Sequence, residues 1–229
     1  MNKACIVSFF MDNIDMKTIG LQKSVVEKFN TSKCDHFQIK TIMSHGSSID
    51  HFWNMILTDK ICEYDIVLIL DIDCVPLSPI AIDHYINRAA EGYLVGNIQR
   101  TGHLDNGHHV FAAPSAAAIR ADKFMDLGRP SAVETPRGDV LEEYTYQAEK
   151  VGIPLDSYMP LRYDKDVTRY EWEKNKEPFW RLKDGMPNYG CGTTYGSAEL
   201  GDLFYHQFQI RMPGNQELFW KKCESILTN

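Results

Sequence analysis

Two aspartates close the most hydrophobic run of this chain. In YDIVLILDIDCVPLSP, residues 64–79, Asp71 and Asp73 follow a stretch that reads as buried strand. An unpaired carboxylate is costly to bury. Either each accepts local backbone N–H groups, as at an ordinary loop entry, or both open into a cleft and bind something positive. Further along, Asp139, Glu142 and Glu143 in GDVLEEY are carboxylates able to serve as a base. The spacing of Asp139 and Glu142 is equally that of a helix capping box. The loop DGMPNYGCGTTYGSAELG, 184–201, carries Gly185, Gly190, Gly192, Gly196 and Gly201, which suit close approach to phosphate or a hinged lid as well as a plain surface turn. Arg211 beyond it is a phosphate contact or a surface arginine. His103, His108 and His109 flank an Asn-Gly loop and either face an acceptor or are solvated. Tyr163, Tyr170, Trp172, Phe179 and Trp180 lie among charged residues between 161 and 183. That pattern serves stacking on sugars or bases, or a packed subdomain with a salt-bridged surface.

These side chains need elements to position them. Residues 3–10 read as a strand, and Asp15 is placed to cap a helix with Leu21, Val25, Val26 and Phe29 on one side. HFQIKTI, 36–42, predicts a second strand. Ser48 then precedes Ile49, Phe52, Trp53, Ile56 and Leu57, a helical apolar stripe. YDIVLIL is the third strand, ended by Pro76, which cannot donate to a ladder. A third helix buries Ile82, Tyr85, Ile86, Ala89 and Ala90. Alternating strands and helices imply parallel βαβ units in an open sheet covered on both faces. Ligands of such sheets bind at the carboxyl ends of the strands, where Asp71 and Asp73 lie. A side-chain period of two turns both to the same side. After residue 92 the pattern weakens. YLVGNIQ (93–99) and HHVFAAP (108–114) predict strands, 139–151 a helix capped at Asp139 and ended by Gly152, LFYHQFQIR another strand, and Asn215 the start of a last helix. No repeat or long linker interrupts the chain, so one domain, 1–229, is expected.

The 229 residues include 44% hydrophobic and 24% charged types, ordinary globular values that exclude a disordered chain. A formal net charge of −7 excludes a global attraction to nucleic-acid backbones or anionic lipid. The six cysteines form no CxxC pair, and Cys5, Cys62 and Cys74 sit in or beside apolar runs, as free buried thiols do. The expected location is cytoplasmic. ACIVSFFM is too short for a signal peptide and lacks its cleavage site, and no window reaches the roughly 18 apolar residues of a membrane span.

DIDCV fits the signature of haloacid-dehalogenase-type phosphohydrolases, in which Asp71 would be the covalent nucleophile and Asp73 the general acid. Two strand–helix units precede it here, however, and GDLFYH at 201–206 has a histidine where that family needs a later carboxylate. YDIVLILDIDCVPL after two strand–helix units, with the late His206 of LFYHQFQIR, more closely resembles the GT-A class of nucleotide-sugar glycosyltransferases, nearest to its glycogenin-like and galactosyltransferase-like members. The resemblance implies a GT-A-like three-layer α/β/α fold with a mostly parallel sheet. Residues 1–100 would form the nucleotide-sugar half, and 101–229 the acceptor half with a metal ligand and lid. It implies transfer of a sugar from a nucleoside-diphosphate donor, usually UDP-linked, to an unknown acceptor (glycan, protein or nucleic acid), assisted by Mn2+ or Mg2+. Asp71 would contact the ribose or the metal, Asp73 would ligate the metal, and His206 would be the third protein ligand or simply a core histidine. Two carboxylates with one imidazole suit Mn2+ better than Mg2+. Phe9, Phe10 and Asp12 at the end of the first strand would flank base and ribose, and Arg211 would meet the diphosphate. Asp139 or Glu142 would be the base, although the usual Glu-Asp pair is missing. A nucleotidyltransferase would show a Gly-rich loop after the first strand, and residues 11–20 hold only Gly20. A non-catalytic nucleotide-sugar binder would share every feature except turnover.

Overall fold

The computed structural model describes residues 3–58, 63–100, 109–164, 179–181, 187–190 and 192–229. The first half follows the local patterns closely. Strand β1 (Ala4–Phe10) is buried along almost its whole length, because sheet neighbours flank it and helices cover both its faces. Asp15 caps helix α1 (Met16–Phe29), its carboxylate accepting the Lys17 N–H at 2.7 Å. Strands β2 (Asp35–Lys40) and β3 (Ile66–Leu70) pair with β1, both parallel, as βαβ connections require.

Helix α2 (His45–Thr58) corrects one expectation. It begins upstream of Ser48, because the Ser44 hydroxyl already serves its first turn, accepting the Ser47 N–H at 3.3 Å. Ser48 is instead buried inside the helix and donates its hydroxyl back to the Ser44 carbonyl at 2.9 Å.

The remaining elements are β4 (Cys74–Pro76), α3 (Ala81–Ala90), β5 (Leu94–Arg100), β6 (Val110–Arg120), α4 (Ala121–Asp126), α5 (Glu142–Val151), β7 (Leu155–Tyr163), β8 (Phe179–Arg181), β9 (Pro187–Gly190), β10 (Thr193–Ser197), β11 (Gly201–His206) and α6 (Asn215–Thr228). Nine of the described strands form one sheet in the order β2-β1-β3-β6-β5-β7-β10-β11-β4, while β8 and β9 pair separately. The sheet is mixed rather than mostly parallel. Strand β6 runs antiparallel between β3 and β5, and β10, β11 and β4 are antiparallel throughout. Strand β6 also runs six residues past the expected end at Pro114. Its Ala116, Ala117 and Ala118 oppose Leu70, Ile69 and Leu68, and there small side chains let the flanking layers close in. Alanine favours helix intrinsically, and sheet burial overrides that preference.

Alternate residues of β1 and β3 serve opposite cores. Val7, Val67 and Ile69 pack with α2, α4 and α5, where Trp53 stacks on Phe124 at 4.2 Å. Ile6, Leu68 and Leu70 pack with α3 on the other face, and α1 and α6 close a third cluster around Val75, Tyr205 and Phe219. Cys5, Cys34, Cys74 and Cys223 are free thiols. No described helix is long and apolar enough to cross a membrane.

Candidate active site

Strand β3 ends at Leu70, so the two aspartates do not share a strand face. They lie in a tight turn, closed by the Cys74 N–H donating to the Asp71 carbonyl at 2.9 Å. The turn achieves what period-two alternation was expected to achieve: both carboxylates converge on one point. That point is fixed from a distant part of the chain. Strand β4 pairs antiparallel with β11 so that Cys74 lies opposite His206, and the Gln207 N–H donates to the Asp73 carbonyl at 2.9 Å. His206 Nε2 thereby sits 3.3 Å from Asp73 Oδ1 and 3.7 Å from Asp71 Oδ2. One ligand atom from each of the three residues lies within 4.8 Å of the others.

The chemistry of this donor set suits a divalent cation. Two carboxylates and an imidazole are crowded together at low exposure; His206 is 3% exposed and its Nδ1 is buried without a hydrogen-bond partner among the described residues. Burial pushes the Asp71 carboxyl above its ordinary value, His45 and His206 draw it back, and the like charge of Asp73 pushes it further up. Burial by itself would lower the His206 imidazolium, but Asp73 and then Asp71 outweigh it and hold it above its ordinary value.

His45 was not singled out from the sequence. Its Nε2 lies 3.1 Å from Asp71 Oδ1, on the side away from His206. It stands at the start of α2, just past the carboxyl end of β2 and so at the same sheet edge. That adjacency, which only strand order reveals, is the signal that would have found it. Gly46 beside it is required by packing: a Cβ there would fall 2.6 Å from the Ala132 carbonyl oxygen.

The cluster opens into a cavity of about 480 Å3. Phe9, Phe10 and Ile14 line it from the end of β1, Asp139 and Val140 from the segment before α5, and Phe208 and Arg211 from the segment after β11. Of the expected site residues, the fold thus gathers Phe9, Phe10, Asp71, Asp73, Asp139, His206 and Arg211 around one space. Asp12 lies outside the lining, exposed and ion-paired with Lys40. Glu142 is fully buried, and its Oε2 accepts the Asp139 N–H at 2.8 Å, half of the capping box that its spacing predicted. Helix α5 starts at Glu142 rather than Asp139, because the chain turns through a left-handed Leu141 (φ 72°) between them. Glu143 is ion-paired with Arg137 on the surface. His103, His108, Tyr170, Trp172 and Gly185 fall outside the described residues, as do the side chains of Phe179 and Trp180.

No protein-family profile matches this chain, and no curated protein does. Among solved structures, the catalytic domain of Drosophila β1,4-galactosyltransferase 7 with xylobiose is 12% identical, with a TM-score of 0.47 over 69% of this chain and 65% of that one. A mutant of the same enzyme, in complex with manganese, UDP-Gal and xylobiose, is 14% identical with a TM-score of 0.45 and the same coverage. This chain therefore spans about 65% of the galactosyltransferase domain. A protein from Desulfovibrio desulfuricans G20, provisionally named a nucleotide-diphospho-sugar transferase, is 10% identical with a TM-score of 0.50, and the match runs over 100% of this chain and 98% of that one. That end-to-end likeness, with the mixed sheet and its helices on both faces, shows the fold: GT-A-like, as in nucleotide-diphospho-sugar transferases.

Proposed function

We propose that this protein is a metal-dependent glycosyltransferase, moving a sugar from a nucleoside-diphosphate donor, UDP-linked in the first instance, to an acceptor hydroxyl. The observation that carries the proposal is the convergence of Asp71, Asp73 and His206 on one point at the floor of a cavity, at the sheet edge where α/β folds of this kind bind ligands. These three residues would hold Mn2+ or Mg2+. When bound, such a cation neutralises the diphosphate as the glycosidic bond breaks.

The chain's own residues have separate tasks. Phe9 and Phe10 offer apolar surface at the end of β1 for the nucleoside. Arg211, at the rim, forms no ion pair among the described residues and is suited to a diphosphate oxygen. Asp139 is our assignment for the base that takes the acceptor proton, since it lines the cavity while Glu142 is buried behind it. His45 holds Asp71 from the side opposite His206 and limits its rotation.

A phosphohydrolase centred on Asp71 is not favoured, because the fold is GT-A-like from end to end and the aspartate is the product of the third strand rather than the first. Thermal unfolding in the presence of UDP- and GDP-sugars, each with and without Mn2+, tests the proposal, since a ligand that binds only the folded state raises the midpoint. One nucleotide sugar should raise it in a metal-dependent way, and Asp73→Ala should abolish the shift while remaining folded. A panel without any metal-dependent shift overturns the proposal. Binding without hydrolysis or transfer leaves a nucleotide-sugar binder in its place.

A further inference from the structure

Behind the cavity lies a second cluster of carboxylates and histidine. Glu142 is fully buried, and its two oxygens have different partners: Oε2 accepts the Asp139 N–H, and Oε1 meets His109 Nδ1 at 2.6 Å. The other ring nitrogen of His109, Nε2, lies 3.4 Å from Glu149 Oε1. Nε2 makes no hydrogen bond among the described residues, so Glu149 acts on the ring through charge alone, and both carboxylates favour the imidazolium over the neutral ring. The ring lies flat on Tyr146, with centroids 3.8 Å apart and planes 2° apart, and the Arg137 guanidinium lies 4.4 Å from the Tyr146 ring centroid.

Three elements meet here. From α5 the charged or titratable groups facing His109 are Glu142, Tyr146 and Glu149; from the turn before α5 comes Arg137, ion-paired with Glu143; on β5, Arg100 lies opposite Val110, the residue after His109. Burial by itself would lower the His109 imidazolium, but the hydrogen bond and charge of Glu142, followed by those of Glu149, outweigh it. The segment being held needs a restraint. Leu141 is a non-glycine residue at φ 72°, a conformation that persists only where surroundings impose it. Gly138 passes so close that a Cβ there would lie 3.3 Å from Glu142 Cβ.

We propose that His109 is the positioning residue for Asp139: its imidazolium neutralises the buried Glu142 carboxylate, whose second oxygen holds the Asp139 amide and so presents the Asp139 carboxylate to the cavity. The catalytic meaning of this clamp rests on the assignment of Asp139 as base; the clamp itself does not. Loss of the His109 proton removes the imidazolium from beside Glu142 Oε1, and the turn that carries Asp139 loosens.

Amide hydrogen exchange at Asp139, followed by NMR in the full chain, tests the clamp. His109→Gln should speed exchange by about tenfold or more, as expected when a buried charge-assisted hydrogen bond is lost. Adding Glu142→Gln to that variant should restore protection to within about threefold of wild type, because a neutral pair needs no counter-charge. The wild-type His109 ring should titrate above the ordinary histidine midpoint, with Asp139 protection falling in step. Unchanged exchange in His109→Gln, additive effects in the double variant, or a ring midpoint at or below the ordinary value each overturns the proposal. The ring titration uses the wild-type chain and decides the matter even where a variant fails to fold. Binding of UDP-sugar with Mn2+, measured on wild type and His109→Gln, separates the two assignments. Protection that behaves as expected in a protein that binds no nucleotide sugar keeps the clamp and removes the transferase. Metal-dependent turnover with kcat and exchange unmoved in His109→Gln does the reverse.

Discussion

Two carboxylate–histidine clusters among the described residues differ in where their negative charge faces. At the sheet edge, His206 turns one nitrogen toward two carboxylates, at 3.3 and 3.7 Å, and its other nitrogen is buried without a partner among the described residues. Behind α5, His109 Nδ1 meets Glu142 Oε1 at 2.6 Å, Nε2 lies 3.4 Å from Glu149 without a hydrogen bond among the described residues, and the second oxygen of Glu142 is occupied by a backbone amide. The first arrangement leaves negative charge facing a cavity and suits an incoming cation. The second is closed and suits holding a chain segment in place. His36 supplies the control. It is a half-buried histidine with no carboxylate paired to it among the described residues; Ser8 Oγ lies 3.2 Å from Nε2, and Nδ1 has no hydrogen-bond partner among them. There burial, aided by the charge of Lys23, pushes the imidazolium down to about 4. At His206 and His109 the neighbouring carboxylates outweigh burial, whereas at His36 burial prevails.

That contrast can be broken most strongly at the closed cluster. Glu142→Ala should cost about 3 kcal/mol, the penalty for stranding one member of a buried pair, and calorimetry should show a midpoint lower by roughly 6 to 12 °C. Asp73→Asn should lower the metal-free midpoint far less, by the equivalent of about 1 kcal/mol or under, since the open cluster holds like charges that repel. The same Asp73→Asn should weaken Mn2+-dependent donor binding by about a hundredfold, read by calorimetric titration. A large loss of metal-free stability in Asp73→Asn would mean that the open cluster is as self-sufficient as the closed one.

Smaller effects sharpen the comparison. Gly46→Ala forces a Cβ to within 2.6 Å of a backbone oxygen and should cost about 1 to 3 kcal/mol while displacing His45 from Asp71. Urea midpoints with and without the bound donor would show both effects. The pH dependence of stability should have two distinct sides. His36 has a depressed folded-state value, so the unfolded chain binds the extra proton and stability is lost as pH falls from about 6.5 toward 4. The loss should be about 1 to 2 kcal/mol between pH 7 and 5, absent in His36→Gln, with urea midpoints at the two pH values as the check. His109 has the opposite sign. Its raised value makes its contribution complete below the ordinary histidine range and lost as pH rises through the raised value.

Much of the scaffold was legible because it is written locally. Asp15 caps α1 as its position implied, and the apolar spacings of α2 and α3 match the faces that they bury. The β1–α1–β2–α2–β3 succession implied the parallel register that is observed. Errors arose where a longer-range effect intervened. The alanines of β6 are strand because strands β3 and β5 enclose them, and Ser48 yields the start of α2 to Ser44. The capping-box spacing of Asp139 and Glu142 was visible, but not that one carboxylate would face the cavity while the other is sealed behind it.

By itself the sequence determined that an apolar strand, third in a βαβ series, ends in two carboxylates at the edge where such sheets bind ligands, since hydrophobic period and strand count are local properties. Only the tertiary structure decided what meets those carboxylates. His206 arrives through the antiparallel register of β11 with β4, His45 through the packing of α2 against the backbone at Ala132, and Asp139 through a left-handed turn fastened to a buried glutamate. Register and packing depend on pairings between distant segments, and the composition of neither partner specifies them alone.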